Sequence, residues 1–257
     1  MDAESPEISR PGWLLAMLET RAFTEFGAYC WLYPWFRLAP RGDGHPVLVL
    51  PGFLASGSST LPLRHFLNRL GYKGHRWKLG RNLGGIGQKE REILARVREL
   101  RRRYGQRVSL IGWSLGGVYA RELAWMSPKD IRQVITLGTP FRHARATSVT
   151  ELYEDISGQR EAHMPPELVA RIPEPPPVPS TSIYSRSDGV VAWQCSLEKT
   201  SPTTENIRVF GSHCGLGHNP LALWAIADRL AQPEGGWKPF KAGVAAGLAY
   251  PPADRLD

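Results

Sequence analysis

Cysteine is scarce in this chain: Cys30, Cys195 and Cys214 are the only three in 257 residues, and no Cys-x-x-Cys or histidine-rich spacing accompanies them. That argues against a disulfide framework and offers no ligand set for zinc, so reduced thiols in a cytoplasmic setting are expected. A phosphate-binding loop is missing as well. Gly80-Arg81-Asn82-Leu83-Gly84-Gly85-Ile86-Gly87 is rich in glycine but has neither a Gly-Lys-Ser/Thr ending nor the glycine spacing of a dinucleotide fingerprint; it reads as a flexible rim to a pocket. The opening Met1-Asp2-Ala3-Glu4-Ser5-Pro6-Glu7 is acidic where a signal peptide would be basic, which argues against secretion by that route. No clean membrane span is present. The aromatic stretch 13–38 is interrupted by Glu19, Arg21, Glu25 and Arg37, so it reads as an amphipathic helix able to make a weak peripheral membrane contact. Positive charge is plentiful, a formal +8, yet it is not gathered into a tract. Its densest cluster, Arg96, Arg98, Arg101, Arg102 and Arg103, falls at the end of a helical pattern, where cations complement the helix dipole; a solvated helix end is expected and a nucleic-acid partner is not.

What is present is a chain long enough, and apolar enough at 42% hydrophobic residues, to bury one sizeable core. From residue 47 the apolar runs alternate between strand-like and helix-like periods, the pattern of a mostly parallel sheet flanked by helices. Val47-Leu48-Val49-Leu50 between Pro46 and Pro51 predicts a strand buried on both faces. Helices are expected over 61–70, 89–104 (closed by Gly105), from Leu115 to about Met126, and over 220–231; further strands over 72–79, 108–111, 133–137, 181–185 and 206–210. The stretch 141–179 breaks the alternation, with a short helix around 149–156 and a proline run at 173–179. It reads as a small cap or lid insertion. The chain is therefore expected to be a single α/β domain, 1–257, with a helical extension at 1–45, a core at 46–140 and 180–231, the insertion at 141–179, and a tail at 232–257 that packs on the surface or frays.

The most specific motif is Gly112-Trp113-Ser114-Leu115-Gly116, directly after the apolar run Val108-Ser109-Leu110-Ile111. A serine on a sharp strand-to-helix turn presents its hydroxyl above the sheet edge, and glycines two residues to either side let the backbone pass that closely. Ser114 is therefore the candidate nucleophile. A hydroxyl needs a base, and the base a group that orients it. Asp188 follows one strand in a tight turn before Gly189, and His213 follows the next within Gly211-Ser212-His213-Cys214-Gly215-Leu216. His218 is the rival base, but its place beside Asn219-Pro220 suits a helix cap or a pocket wall. Asp130, beside Pro128, looks like a cap, and Asp155 lies in the irregular insertion. His45, His65, His75, His143 and His163 have only solvated or packing roles.

Acyl transfer through Ser114 would need two amides for the oxyanion. Leu115 supplies the one after the nucleophile. The loop Pro51-Gly52-Phe53-Leu54 supplies the other, assigned to Phe53 because Gly52 permits the close approach. Phe53, Leu54, Trp113, Leu115 and Trp193 are the expected apolar lining for the substrate.

Together, Leu50-Pro51-Gly52-Phe53, Gly112-Trp113-Ser114-Leu115-Gly116-Gly117, Thr136-Leu137-Gly138-Thr139-Pro140, Ser187-Asp188-Gly189-Val190-Val191 and His213-Cys214-Gly215-Leu216 resemble the α/β-hydrolase superfamily over residues 47–231, and within it the bacterial lipases and esterases. The resemblance implies a Ser-His-Asp hydrolase with no cofactor, acting on a small-molecule ester or lipid. Pro51-Gly52 stands where many lipases have His-Gly, and the segment 13–38 has no counterpart in the minimal fold. The same acyl-enzyme would serve an acyltransferase, and a non-catalytic membrane- or partner-binding member of the fold is the remaining alternative. Chain length of the acyl group, the alcohol portion and the oligomeric state are left open.

Overall fold

Among the described residues, six strands form one parallel sheet: β1 (Pro46–Leu50), β2 (Lys73–Arg76), β3 (Val108–Trp113), β4 (Ile131–Leu137), β5 (Ser180–Tyr184) and β6 (Thr204–Arg208), in the order β2-β1-β3-β4-β5-β6. The computed structural model describes residues 8–143, 146–242 and 249–256. The acidic opening 1–7, two residues of the insertion (144–145) and parts of the tail (243–248 and 257) lie outside the described residues.

The continuous apolar runs are explained by layers on both faces of the sheet. Successive side chains alternate: Val47 and Val49 of β1, with Ile111 and Ile135, pack toward α3 (Leu61–Arg69) and α8 (Pro220–Ala231), whereas Leu48, Leu50, Leu110 and Val134 pack toward α4 (Glu90–Tyr104) and α5 (Leu115–Met126). α4 ends at Gly105, whose φ of +67° closes the helix, and α8 starts at Asn219, whose side-chain oxygen accepts from Leu221 N (3.0 Å) and Ala222 N (3.2 Å). Because all strands run the same way, every segment that leaves a strand's carboxyl end reaches the same edge of the sheet. That edge is where α/β proteins collect ligand-binding loops.

Several expectations are corrected. β2 spans four residues and not eight, because it is the edge strand, with β1 as its only partner among the described residues, and Trp77 has already turned into the core with its Nε1–H on Gly80 O (3.0 Å). β6 begins two residues early, at Thr204, since pairing with β5 (Ser180 opposite Thr204) sets its register and leaves Phe210 exposed. The insertion holds the expected short helix as α6 (Thr150–Ser157), which carries Asp155, and also an unforeseen α7 (Pro166–Arg171). The arginine cluster is not merely solvated: Arg98 and Arg101 both reach Asp130, which is an ion-pair acceptor rather than a cap, and buried Arg96 pairs with Glu99. The described part of the tail packs, with Phe240 and Tyr250 in contact at 4.9 Å and Asp254 accepting from Tyr184 Oη at 2.7 Å.

The stretch 13–38 is helical throughout, as expected, and is divided into four consecutive pieces. It is α1 (Trp13–Met17), a 3-10 turn (Leu18–Arg21), α2 (Ala22–Leu32) and a second 3-10 turn (Tyr33–Leu38) that carries Pro34. Tyr29 and Phe36 are buried against the sheet's helical layer, while most of its other large apolar side chains face solvent. The inward face, surprisingly for such a composition, also carries its carboxylates.

Candidate active site

β3 ends in the turn that its glycines predict. Ser114 has φ +52°, ψ −124°, a conformation a non-glycine residue holds only where its surroundings enforce it, and its N–H donates to Leu137 O at 2.8 Å. A Cβ on Gly112 would come 2.3 Å from Gly117 Cα, and one on Gly116 would come 2.3 Å from Leu50 O. The elbow is therefore sterically closed to larger residues. A Cβ on Gly52 would meet Ser114 Cβ at 3.1 Å, which sets the loop after β1 directly beside the serine. The amides of Phe53 and Leu115 have no acceptor among the described residues.

Asp188 and His213 are brought into contact: His213 Nδ1–H donates to Asp188 Oδ2 at 2.7 Å, both residues being buried. The other carboxylate oxygen accepts from Val190 N (2.8 Å) and Val191 N (2.7 Å), which fixes the acid's orientation. Burial pushes the His213 imidazole toward the neutral form, but the charge and hydrogen bond of Asp188, with Glu19 adding to them, outweigh it and hold the pKa above the ordinary histidine value. Trp113, next to Ser114, donates its indole N–H to His213 O at 3.1 Å and so ties the elbow to the histidine loop. The Ser114 hydroxyl makes no hydrogen bond among the described residues.

Three residues unforeseen as site residues hold these loops from the N-terminal segment. Glu19 accepts from Gly189 N (2.8 Å), His213 N (2.9 Å) and Cys214 N (2.8 Å); burial pushes its carboxyl up, but these amides and the His213 charge bring it below the usual range. Glu25 accepts from Ser212 N at 2.7 Å, and the Arg21 guanidinium donates to Ser187 O and, at 2.9 Å, to Gly211 O. Charges inside an otherwise apolar aromatic stretch were the available signal. They exclude a membrane span, and they also have to find buried partners somewhere.

An open cavity has Ser114 in its wall, with Phe53, Ile86, Leu115, Val118, Tyr153 and Met164 among its lining. Of the anticipated lining residues, Phe53 and Leu115 are there. Leu54, Trp113, Trp193 and His218 are not, each being engaged elsewhere. Leu54 N donates to Asn82 O, Trp193 stacks on Tyr184, and His218 Nε2–H donates to Ala22 O at 3.1 Å, against the N-terminal segment. α6 forms one wall through Thr150, Tyr153 and Glu154. The glycine-rich loop does border the cavity, through Ile86, and it is pinned: Gln159 holds Ile86 from both sides, and Asn82 Nδ2 donates to Pro51 O at 2.9 Å.

A second Ser-His-Asp series lies at the opposite edge of the sheet. Ser109 Oγ is 2.8 Å from His45 Nε2, and His45 Nδ1–H donates to Asp43, with Arg132 on the other carboxylate oxygen at 2.7 Å. Ser109 and His45 have no exposed surface, and Ser109 sits within a regular strand, so a substrate cannot reach it. Its chemistry is packing: it anchors the start of β1 to β3 and β4. His45 is thus not solvated.

No family model matches the chain, and no curated protein matches it. Solved structures do. Aspergillus fumigatus lipase B is similar with a TM-score of 0.54 at 18% identity, over 75% of this chain, which spans about half (54%) of the lipase's length. The mature form of Bacillus licheniformis lipase BlEst2 is similar with a TM-score of 0.54 at 15% identity, covering 74% of this chain and 94% of its own. Paleococcus ferrophilus monoacylglycerol lipase gives 0.54 at 14% identity, covering 73% and 96%. Identities this low speak to the fold.

Proposed function

We propose, on the premise that the chain has the α/β-hydrolase fold, that it is a carboxylic-ester hydrolase working through an acyl-enzyme on Ser114. The observation that carries this reading is the buried Asp188–His213 hydrogen bond on the same sheet edge as a positive-φ serine that borders an apolar cavity. In the reaction Ser114 Oγ attacks the ester carbonyl while His213 Nε2 takes its proton; Asp188 fixes the imidazole tautomer and stabilises the imidazolium. The amides of Phe53 and Leu115 hold the developing oxyanion. His213 then protonates the leaving alcohol, and water, deprotonated by the same imidazole, releases the carboxylic acid. Closing the Ser114–His213 hydrogen bond belongs to the substrate complex, since catalytic hydrogen bonds tighten from apo geometry.

The apolar lining supports an aliphatic or aromatic acyl group, and the three free thiols suit a cytoplasmic setting. Among the described residues, no helix is long and apolar enough to cross a membrane. The test is a fluorophosphonate probe with p-nitrophenyl esters of graded chain length: wild-type chain labels on Ser114 and turns over the esters, and Ser114→Ala does neither. A wild-type chain that neither labels nor hydrolyses any of the series overturns the reading.

A further inference from the structure

We infer that the outward face of residues 13–38 is a docking surface for a lipid bilayer carrying anionic headgroups. Nine of the sixteen exposed large apolar side chains among the described residues fall in this stretch, and Phe23 and Trp31 are 83% and 75% exposed. Exposed large apolar side chains gathered in one segment mark an interaction site rather than ordinary surface. The distribution of charge sharpens it. Glu19 and Glu25 are both consumed inward, on the backbone N–H groups of the Asp188 and His213 turns, and Arg21 is turned inward with them. The outward face therefore has no carboxylate of its own segment, whereas Arg37 and Arg41 at its end are exposed and have no acidic partner among the described residues. Tryptophan and phenylalanine beside unpaired arginine is the composition that settles at the boundary between headgroups and acyl chains.

Charge also chooses between a bilayer and a second copy of the chain. In a two-fold dimer the same patch meets itself, so Arg37 and Arg41 of both copies would share one interface, and the neighbouring carboxylate, half-exposed Asp43, is already held by Arg132 and His45. Anionic headgroups supply the missing charge.

The face runs on to the rim of the cleft. Arg10, three residues before Trp13, pairs with Glu151 on α6, which exposes Leu152 and Ile156 and lines the cavity with Thr150, Tyr153 and Glu154. Ile8 packs against the cluster of Ala146, Val191, Ala192 and Cys195, of which Val191 lines the cavity. Docking there would bring the cleft to the lipid phase. The inference deepens the ester-hydrolase reading by naming where the substrate resides, but binding is measured without turnover.

The experiment is co-sedimentation of the full chain with phosphatidylcholine vesicles with and without phosphatidylglycerol, alongside tryptophan emission, light scattering and hydrolysis of a soluble short-chain ester. Wild-type chain is expected to pellet with the anionic vesicles and shift its emission to the blue. Phe23→Gln with Trp31→Gln, both on exposed positions away from the catalytic groups, should lose at least about tenfold in partitioning while soluble-ester turnover and circular dichroism stay unchanged. Arg37→Gln with Arg41→Gln should remove most of the preference for anionic vesicles. Wild-type chain left in the supernatant with both vesicles overturns the inference, as does a dimer dissolved by the Phe23/Trp31 change whose vesicle binding is unaltered. Vesicle binding without any ester turnover would overturn the enzymatic reading and leave the docking surface standing.

Discussion

Glu19 accepts the backbone N–H of His213 at 2.9 Å through the same oxygen that accepts Gly189 N at 2.8 Å. Gly189 follows Asp188, so one carboxylate from the N-terminal segment sets the separation of the two turns that carry Asp188 and His213. Glu19→Gln keeps the shape but points one N–H₂ toward backbone donors and removes the charge. A fall in kcat of about 10- to 100-fold is expected, with KM little changed, because misplacement of this size is costly to the transition state. The acid limb of kcat/KM should also move to lower pH, since one of the charges that raise the His213 pKa is gone. An unchanged pH profile would reduce Glu19 to a structural contact.

The raised His213 pKa makes activity and stability move in opposite directions with pH. As a base His213 must be neutral, so ester hydrolysis rises with pH through a midpoint above the ordinary value of 6.5. The folded state binds the proton more tightly than the unfolded chain. Its stabilising contribution is thus complete below pH 6.5 and lost as pH climbs through the folded-state pKa. Urea midpoints for wild-type chain and His213→Gln across that window should converge as pH rises. A constant difference would refute the assignment.

Asp188→Asn should retain the fold and the Val190 and Val191 amide contacts through Oδ1, yet lower kcat on the order of 10⁴-fold by favouring the wrong imidazole tautomer. Burst kinetics with a p-nitrophenyl ester measure it. Activity within tenfold of wild type would move the acid elsewhere.

Gly112 and Gly105 both sit at element boundaries but should respond differently to alanine. At Gly112 the new methyl would lie 2.3 Å from Gly117 Cα and 2.4 Å from Gly116 O, both backbone, so a loss of about 3 kcal/mol or more is expected, with failure to fold as the extreme. At Gly105 the space is open and only the φ of +67° is unfavourable, for about 1 kcal/mol. Urea unfolding of the two variants gives the order directly.

Arg121, on α5 behind the nucleophile, is buried and bonded to Glu198 and to the carbonyls of Ile172 (3.0 Å) and Glu174 (2.7 Å), with Phe141 under its guanidinium at 3.8 Å. Arg121→Met leaves the buried Glu198 carboxylate without a counter-charge, with the Ser180 hydroxyl at 3.1 Å as its remaining donor, which should cost about 3–5 kcal/mol. Adding Glu198→Leu should recover part of that loss in thermal unfolding, since the stranded charge then disappears. No recovery would mean that the carbonyl contacts to 172–174, and not the ion pair, hold this part of the insertion.

Features determined by neighbours in sequence were legible before any coordinates. The apolar run 47–50, the helix ended by Gly105 and the Pro220 helix start depend on local sterics and periodicity, and so does the Gly112–Gly116 elbow that holds Ser114 at positive φ. The order of serine, acid and histidine after successive parallel strands let Asp188 and His213 be singled out, and the fold brings these two together at 2.7 Å. Tertiary structure decided what depends on separate segments meeting. It ended β2 early at the sheet edge, cast Asp130 as an ion-pair acceptor, turned His218 toward Ala22, and built the cavity wall from Tyr153 and Met164 where Trp113 and Trp193 were expected. It also made Glu19 and Glu25 the partners of the Asp188 and His213 turns, 170 to 195 residues away along the chain. A buried backbone amide must find an acceptor, and nothing in the local sequence says which distant carboxylate will reach it.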